Sequence, residues 1–492
     1  MKALLVYPEY PDTFWSFKHA MRFVSRKAAY PPLGLLTVAA MLPESWEKRV
    51  VDMNVRGLTD DDLDWADLVM ISAMLVQKKS ALEVIDRSKA RGKPVVGGGP
   101  LFSMEADSFP SVDHIVFGEG EVLIPELAKD LEAGTARQLY TSSEKPDLRD
   151  TPIPMWDLVD FNDYATMCIQ YSRGCPYDCE FCDIIVMNGR VPRMKSAEQM
   201  MAELDALYNR GWRGTTFVVD DNFIGNKKKV KALLPHVVAW MKEYKYPFDL
   251  VTEASLGLAD DERLMDLMSD AGFSKVFLGI ESPEEECLAE CGKGQNRNRD
   301  MAAAVKIIQN KGMEVMAGFI IGFDSDPPSI FERQLAFIQK TGVAAAMVGL
   351  LTAVPGTRLY TRLKKQGRIL QMSTGDNTDG SLNFIPKMDR EVLINGYKKL
   401  LKTIYSHREY YDRALILLRE HRPKTRPAIG SKEIGAVFKS LWRIGVLEKG
   451  RLHYWKFLAK VTFRMPRALP RAITLAIYGF HFRKVAEGLG PP

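Results

Sequence analysis

The stretch YSRGCPYDCEFC, residues 171–182, carries three cysteines within eight residues, and the architecture of the chain can be inferred outward from it. Cys175, Cys179 and Cys182 are spaced C-x3-C-x2-C, a glycine precedes the first, and Phe181 stands directly before the last. Six cysteines in 492 residues are too few for a disulfide scaffold. A close cluster of thiols in such a chain indicates metal binding or catalysis.

Four interpretations of the three thiols compete. A disulfide would leave one thiol unpaired. A structural zinc site needs four ligands, and the nearest further thiol, Cys168, lies in the apolar run 165–172, which predicts a buried strand. Three unrelated surface thiols would be a coincidence at this spacing. A [4Fe–4S] cluster takes thiolates as its usual ligands, and three thiolates leave one iron open for another molecule.

The composition excludes several classes of protein. An apolar content of 46% and a charged content of 26% are ordinary for a globular protein, and 492 residues suffice for two or three domains. No uninterrupted apolar run approaches about 18 residues, so the sequence predicts no transmembrane helix. The first residues, MKALLVYPEY, lack the apolar core and cleavage site of a signal peptide. We therefore expect a cytoplasmic protein, because thiols stay reduced in that compartment.

The first 150 residues alternate helical patterns with short apolar runs. Five such runs predict strands, at 3–8, 49–54, 68–73, 94–99 and 114–120. This alternation predicts a doubly wound parallel α/β sheet, in which ligands bind beyond the carboxyl ends of the strands. Small and polar residues gather at those ends: Asp52, Asn54, Gly57, Ser72, Gly97, Gly98, Gly99, Gly118, Glu119 and Gly120. Glycines let a ligand approach the backbone, although each loop can equally be a tight turn of a domain without a cofactor.

A second series of strands and helices surrounds and follows the cysteines. Six strands are predicted, at 166–172, 215–221, 248–254, 275–282, 315–323 and 345–354. Six such units predict a partial (β/α)6 barrel, whose active site lies at the carboxyl ends of the strands. Candidate binding residues at these ends are the polar residues Asp220, Asp221, Glu253, Glu281 and Ser282. Each acidic residue alone can also be a helix cap or a first-turn charge. Cys287 and Cys291, four apart, are expected to be core-facing thiols on one helix face, with a substrate-facing thiol as the alternative, because a second metal site would need more ligands.

The C-terminal part of the chain differs in composition. From residue 371 the barrel pattern stops, and the segment 392–421 predicts a helix. Residues 421–492 contain 15 Lys+Arg and 3 Asp+Glu, a net charge of +12 that leaves −7 for the rest. Aromatic and basic residues alternate over 442–484, a pattern typical of a surface that lies on an anionic membrane. Packing on the barrel and a nucleic-acid patch are the alternatives, and the acidic main body argues against nucleic acid.

Together these motifs resemble the radical SAM enzymes that contain a cobalamin-binding domain, and the whole chain is similar to the group that includes hopanoid C-2 methylases. The resemblance implies a Rossmann-like cobalamin-binding domain, a radical SAM partial TIM barrel and a basic, mainly helical extension, at 1–150, 151–370 and 371–492. It implies that Cys175, Cys179 and Cys182 bind a [4Fe–4S] cluster whose open iron chelates S-adenosylmethionine (SAM), and that Phe181 packs against the adenine.

The remaining site residues follow from the same resemblance. Further SAM contacts are implied for Asp220, Asp221, Glu253, Glu281, Ser282, Ile320 and Gly322. Cobalamin contacts are implied for Asp52, Asn54, Gly57, Ser72, Gly97, Gly98, Gly99, Gly118, Glu119 and Gly120. The motif Gly318-x-Ile320-x-Gly322 is similar to the family's adenine-contacting motif, but its terminal acidic position is not cleanly met.

One residue departs from the family pattern. The cobalamin signature is Asp-x-His-x-x-Gly, in which the histidine ligates cobalt, whereas this chain has Asp52-x-Asn54-x-x-Gly57. Asparagine is a poor cobalt ligand, and no other histidine lies in that loop. We therefore expect cobalamin to bind without a histidine beneath the cobalt, an arrangement that favours its reduced, nucleophilic state.

The resemblance also implies a reaction and its partners. One SAM methylates cobalamin, a second yields a 5′-deoxyadenosyl radical that removes hydrogen from an unactivated carbon, and the substrate takes the methyl group from methylcobalamin. The substrate would be a small hydrophobic molecule or lipid, the electron donor a flavodoxin or ferredoxin, and the location the cytoplasm or the inner membrane surface. Cyclisation, ring contraction or rearrangement without methyl transfer is the alternative within enzymes. Outside enzymes, the alternatives are a cobalamin sensor and a zinc-dependent nucleic-acid binder.

Overall fold

Two parallel β-sheets of six strands each organise the computed structural model, which describes residues 1–376, 378–422 and 431–490. Residues 377, 423–430 and 491–492, which belong to the predicted C-terminal extension, lie outside the described residues. Each sheet is flanked by helices, and a group of C-terminal helices packs beside the second sheet.

The first sheet is formed by the N-terminal residues. Its strands are β1 (Lys2–Tyr7), β2 (Glu47–Asp52), β3 (Leu68–Ser72), β4 (Val95–Gly98), β5 (His114–Phe117) and β6 (Leu139–Thr141). The accompanying helices are α1 (Lys18–Val24), α2 (Leu33–Met41), α3 (Asp60–Trp65), α4 (Lys78–Ala90), α5 (Pro100–Met104) and α6 (Gly120–Ala133). The strand order is β2-β1-β3-β4-β5-β6, and all neighbours run parallel. The predicted doubly wound α/β fold is confirmed.

Both faces of this sheet are buried. Leu4 and Val6 of β1 pack into one core, whereas Ala3 and Leu5 pack into the core on the opposite face, because side chains alternate along a strand. Strands covered on both faces appear as continuous apolar runs, which is why β1, β3 and β4 were recognisable in the sequence. The strand β6 was missed, because three residues are too few to form such a run.

The second sheet starts just before the cysteines. Its strands are β7 (Met167–Ile169), β10 (Gly214–Val218), β11 (Phe248–Ala254), β12 (Phe273–Glu281), β13 (Glu314–Ile321) and β14 (Ala346–Leu350), and the short pair β8 (Ser172–Arg173) and β9 (Arg193–Met194) flanks the cysteine segment. The order is β14-β13-β12-β11-β10-β7, so each strand of the main sheet lies beside the next one in sequence. All of these neighbours run parallel, which confirms the predicted partial (β/α)6 barrel.

Helices connect the barrel strands. They are α7 (Ile184–Met187), α8 (Ala197–Asn209), α9 (Lys227–Glu243), α10 (Glu262–Asp270), α11 (Glu285–Glu290), α12 (Met301–Asn310), α13 (Ile330–Thr341) and α14 (Arg358–Lys365). The start of α8 shows why the sequence folds as it does, since Ser196 and Gln199 form a reciprocal capping box. Cys287 and Cys291 are buried at α11, as predicted.

The C-terminal helices are α15 (Arg390–Ile404), α16 (His407–Glu420), α17 (Ser431–Trp442), α18 (Arg451–Arg464) and α19 (Leu469–Gly488), with a π-helical turn at Arg443–Leu447. The single helix predicted over 392–421 is therefore two helices. Ser406, with a ψ of 150°, starts α16 afresh, while the buried Tyr405 donates its hydroxyl hydrogen bond to the Ala346 carbonyl. No helix in the described ranges has the length and apolarity needed to cross a bilayer.

An aromatic cluster joins the N-terminal segment to the barrel and to α19. Trp15 lies 4.9 Å from Phe277 of β12 between ring centroids, and its ring is stacked on Phe217 of β10. Phe17 packs in turn on Tyr478 of α19, at 5.4 Å. The segment before α1 is thus held between the barrel and the last helix.

Candidate active site

The cysteine segment has a backbone that only glycine allows at its start. Gly174 has a φ of +97°, and a Cβ atom there would lie 2.9 Å from the carbonyl oxygen of Gly189. The Asp221 carboxylate accepts hydrogen bonds from the Gly174 N–H at 2.8 Å and from the Asn188 side chain at 2.9 Å. Cys175 donates its N–H to the Gly189 carbonyl at 3.2 Å. These bonds hold the segment against the end of β10.

Two amide side chains approach the cysteine sulfurs. Asn222 Nδ2 lies 3.8 Å from Cys175 Sγ, and Gln295 Nε2 lies 3.8 Å from Cys179 Sγ. Burial raises the pKa of the Cys182 thiol to about 12, so the thiolate forms readily only when a metal supplies positive charge.

No three His, Cys, Asp or Glu side chains within the described ranges are placed to hold a single metal ion. Thiolate donors are the usual ligands of iron–sulfur clusters, and amide donors close to the sulfurs suit such a group. The residues of this segment thus fit a cluster.

The two carboxyl groups at the ends of β10 and β11 have different surroundings. Asp220 is fully buried, and its oxygens accept bonds from Tyr171 N–H at 2.8 Å and Ser172 Oγ at 2.5 Å. It therefore supports the segment that leads into the cysteines. Glu253 is partly buried and has no hydrogen-bond partner among the described residues. Burial, followed by the charges of Asp221 and Asp220, raises the pKa of Glu253 to about 8.

A strained residue and a buried ion pair lie at the end of β12. Glu281 has a φ of +67°, and its carboxylate pairs with Lys293 at 2.5 Å. Gly279 makes room for this pair, because a Cβ atom there would lie 2.4 Å from Glu281 Oε1. Lys293 also interacts electrostatically with Cys179. Ser282 is buried and accepts the Glu284 N–H at 3.2 Å.

Sequence reasoning missed Lys293 and Gln295. Both lie in the short segment after α11, where no periodicity or motif marks them. Sequence reasoning also left the acidic position beyond Gly322 open. Gly322 has a φ of +112° and donates its N–H to Asp326 at 2.6 Å, and Cys287 Sγ lies 3.1 Å from the same carboxyl group.

A cavity of about 900 Å³ lies between the carboxyl ends of the two sheets. From the first sheet its lining includes Ser72, Gly98, Gly99, Gly118, Glu119 and Gly120. From the second sheet it includes Phe181, Asp221 and Ile320. Gly99 allows the backbone after β4 to lie close to the Ser72 side chain, because a Cβ atom at this position would lie 2.8 Å from Ser72 Oγ. The structure therefore brings nine predicted residues, six from the first half and three from the second, to one space. The predicted SAM contacts Asp220, Glu253, Glu281, Ser282 and Gly322 are not part of this lining.

Four residues predicted to contact cobalamin do not line this cavity: Asp52, Asn54, Gly57 and Gly97. Asn54 accepts the Tyr10 N–H at 2.8 Å and donates to the Pro8 carbonyl at 3.2 Å and to Asp52 at 2.8 Å. Its amide thus fastens the segment after β1. A Cβ atom at Gly97 would lie 2.6 Å from the ring of Phe102, so this glycine serves packing.

An ion-pair network joins the two sheets beside the cavity. Glu119 pairs with Arg173 of β8 at 2.9 Å and with Arg193 of β9 at 2.7 Å. Glu121 pairs with the same Arg173 at 2.8 Å. The GEGE sequence after β5 therefore holds the first sheet on the cysteine-bearing hairpin, a role that the sequence did not indicate because the arginines lie more than fifty residues away.

Comparisons with known proteins agree with these two halves. Residues 21–128 match the B12 binding domain, residues 169–338 the Radical SAM superfamily, and residues 357–490 a Domain of unknown function (DUF4070). An uncharacterized methyltransferase of Synechocystis sp. (strain ATCC 27184 / PCC 6803 / Kazusa) is 41% identical, over 99% of this chain and 92% of its own length. A hopanoid C-2 methylase of Rhodopseudomonas palustris (strain TIE-1) is 34% identical, over 94% of this chain and 90% of its own.

The chain belongs to the cobalamin-dependent radical SAM methyltransferases. It is therefore an enzyme, and its cofactors are a [4Fe–4S] cluster, SAM and cobalamin. The non-enzymatic alternatives raised by the sequence are wrong.

Solved structures share the fold of this methyltransferase. The cobalamin-dependent radical enzyme OxsB, with aqua-cobalamin and SAM bound, has a TM-score of 0.64 at 15% identity, over 99% of this chain and 79% of its own. The radical SAM methyltransferase TsrM from Kitasatospora setae, with cobalamin and a [4Fe–4S] cluster bound, has a TM-score of 0.54 at 18% identity, over 76% of this chain and 79% of its own.

Proposed function

We propose that this methyltransferase methylates an unactivated carbon of a hydrophobic, hopanoid-like lipid. The observation that carries the proposal is the 34% identity to a hopanoid C-2 methylase, which extends over 94% of this chain and so includes the C-terminal helices. A hopanoid C-3 methylase of Methylococcus capsulatus (strain ATCC 33009 / NCIMB 11132 / Bath) is 26% identical over 60% of this chain. Apolar side chains and glycines predominate in the cavity lining, which suits such a substrate.

The cluster and SAM have candidate ligands at the end of the barrel. Cys175, Cys179 and Cys182 would hold the cluster, with Asn222 and Gln295 donating to two of the sulfurs. In this proposal Phe181, Asp221 and Ile320 contact SAM because they line the cavity, and Glu253 contacts it because its carboxyl group has no hydrogen-bond partner in the described ranges. When bound, the cluster would supply the electron for the reductive cleavage of SAM, and cobalamin would supply the methyl group that is transferred. An external reductant such as a flavodoxin or ferredoxin would provide the electrons.

Cobalamin would lie against the glycine loops of the first sheet. Ser72, Gly98, Gly99, Gly118 and Gly120 offer backbone without bulky side chains. No histidine is among the described residues that line the cavity. Cobalamin bound there would lack a histidine ligand from this loop region, and Co(II) EPR without imidazole nitrogen splitting would support this.

The first test is metal content and product analysis of the full chain. After anaerobic reconstitution with iron, sulfide and hydroxocobalamin, we expect about four irons and one cobalt per chain. With reductant and SAM carrying a deuterated methyl group, a hopanoid should gain the label, whereas a bacteriochlorophyllide should not. A Cys182→Ala variant should lose iron and 5′-deoxyadenosine formation. SAM cleavage with no labelled product in either arm would instead favour radical chemistry without methyl transfer.

A peripheral contact with the membrane is part of the same proposal. A polycyclic lipid resides in the bilayer, so the enzyme must meet its substrate at the membrane surface. The basic C-terminal region is the part of the chain whose charge suits anionic lipids.

A further inference from the structure

Large apolar side chains are concentrated on one part of the surface. Of the 23 that are exposed in the described ranges, eight lie between residues 434 and 463. Four of these are spaced four residues apart along α17 and the π-helical turn: Ile434, Phe438, Trp442 and Val446. The others are Leu447, Leu452, Trp455 and Phe463. The exposed fraction is highest at Phe463, where it reaches 86%. A cluster of exposed apolar side chains of this kind marks an interaction surface.

Cations accompany the apolar residues. Two rows of residues run side by side along α18. The apolar row consists of Trp455, Ala459 and Phe463. The basic row consists of the residues that directly follow them, Lys456, Lys460 and Arg464. Seven basic side chains between residues 443 and 467 are exposed: Arg443, Lys449, Arg451, Lys456, Lys460, Arg464 and Arg467. None of the seven side chains pairs with a described residue.

The last helix has the opposite character. Twelve residues of α19 are buried, and one of them, Phe482, is 0% exposed. The interpretation that the basic tail packs within the protein is therefore met by α19. The helix α19 packs within the protein, whereas α17, the π-helical turn and α18 present apolar and basic side chains to the outside.

We infer that the surface formed by residues 434–467, here called the amphipathic surface, docks on an anionic lipid bilayer. Charge complementarity selects this occupant, because seven unpaired cations meet lipid phosphates while Phe438, Trp442 and Phe463 enter the interfacial layer. Glu448 is the only acidic residue between 434 and 467, and it pairs with Lys484 at 3.4 Å, so it does not offset the positive surface.

The amphipathic surface is connected to the cavity through α1. Both α17 and α19 pack against α1, and Lys439 of α17 hydrogen-bonds Ser25 at the end of that helix. Trp15, three residues before α1, lines the cavity and contacts Phe277. A substrate that left the bilayer at this surface would therefore be one helix away from the cavity.

Vesicle binding by the full-length protein tests the inference. We expect co-sedimentation with vesicles containing phosphatidylglycerol, and weaker binding to phosphatidylcholine alone or at high salt. The variant Phe438→Ser/Trp442→Ser/Phe463→Ser and the variant Lys456→Glu/Lys460→Glu/Arg464→Glu should each bind at least about tenfold more weakly. All six positions are exposed, so both variants should fold.

Matched controls carry the same changes elsewhere on the surface. The first control replaces three apolar residues that are at least 49% exposed, in the variant Leu139→Ser/Val191→Ser/Val392→Ser. The second control reverses three exposed cations, in the variant Lys228→Glu/Lys229→Glu/Lys365→Glu. Both controls should bind vesicles as the wild type does. Equal losses in controls and variants, or no binding by the wild type, would overturn the inference. The inference would also be overturned if the surface variants still bound vesicles but lost a dimer or a nucleic-acid complex that the wild type forms.

This inference deepens the proposed membrane contact, and the experiment needs neither cofactor nor substrate. Vesicle binding can therefore fail while methyl transfer to a dissolved substrate is retained. Conversely, binding can succeed while the hopanoid assay fails, in which case only the proposed substrate falls.

Discussion

At the scale of single residues, Glu253 makes stability depend on pH. Burial raises the pKa of its carboxyl group from 4.5 to about 8, so the folded protein keeps a proton that the unfolded chain releases. Stability therefore falls as the pH rises from about 4.5 to about 8. We expect Glu253→Gln to match the wild type near pH 5 and to exceed it by roughly 1–3 kcal/mol at pH 8, in urea unfolding of the cofactor-free protein.

The control for this experiment is Glu286→Gln, an exposed position on α11. It should leave the pH dependence of the wild type in place. A difference between Glu253→Gln and the wild type that stays constant from pH 5 to pH 8 would contradict the prediction.

A second prediction concerns the buried pair of Glu281 and Lys293. Their charged atoms are 2.5 Å apart, and both residues are at most 9% exposed. Lys293→Met should cost about 3 kcal/mol of unfolding free energy, because it leaves a buried carboxylate without its counter-ion. Adding Glu281→Gln should recover part of this loss, as measured by a double-mutant cycle in urea. Strictly additive losses would show that the two side chains do not act as a pair.

At the scale of elements, the contact between the first sheet and the β8–β9 hairpin depends on Arg173. This residue pairs with Glu119 and Glu121, whose side chains are 7% and 2% exposed. We expect Arg173→Met to cost about 3 kcal/mol and to speed amide exchange in segments 118–121 and 172–175. Arg149→Met removes an exposed pair with Asp147 and should leave the unfolding free energy close to that of the wild type, because water screens this pair. Unchanged exchange in the two segments would remove this role from Arg173.

At the scale of the whole molecule, α19 should be indispensable for folding. Phe482 packs 5.6 Å from Phe14 and 5.2 Å from Tyr405, and His481 Nε2 lies 3.0 Å from the Phe14 carbonyl. Removing residues 469–492 would expose Phe14, which precedes α1, and Tyr405, which directly follows α15. We expect the truncated chain to aggregate or to lose its cooperative thermal transition.

The serine variant of the amphipathic surface provides the comparison for that truncation. It should keep the unfolding midpoint of the wild type, because its three positions are exposed. A truncated chain that unfolds at the wild-type midpoint would contradict the burial of α19.

The sequence by itself determined the features that depend only on residues close together in the chain. The C-x3-C-x2-C spacing, the alternation of strands and helices and the glycine loops are each contained within a few residues, so their identity does not depend on distant partners. The same holds for Cys287 and Cys291, whose four-residue spacing predicted that both lie on one helix face, and both are buried. The family, the two sheets and the carboxyl-end location of the cavity followed from these features.

Only the tertiary structure decided what individual polar groups contact. Asp220 and Asn54 use their oxygens within the protein, Glu253 is left without a described partner, and Lys293 reaches Glu281 from a segment with no motif. These assignments depend on distances between residues far apart in sequence. The C-terminal helices illustrate the same limit, because an apolar helix face has one sequence pattern whether a protein core or a bilayer covers it.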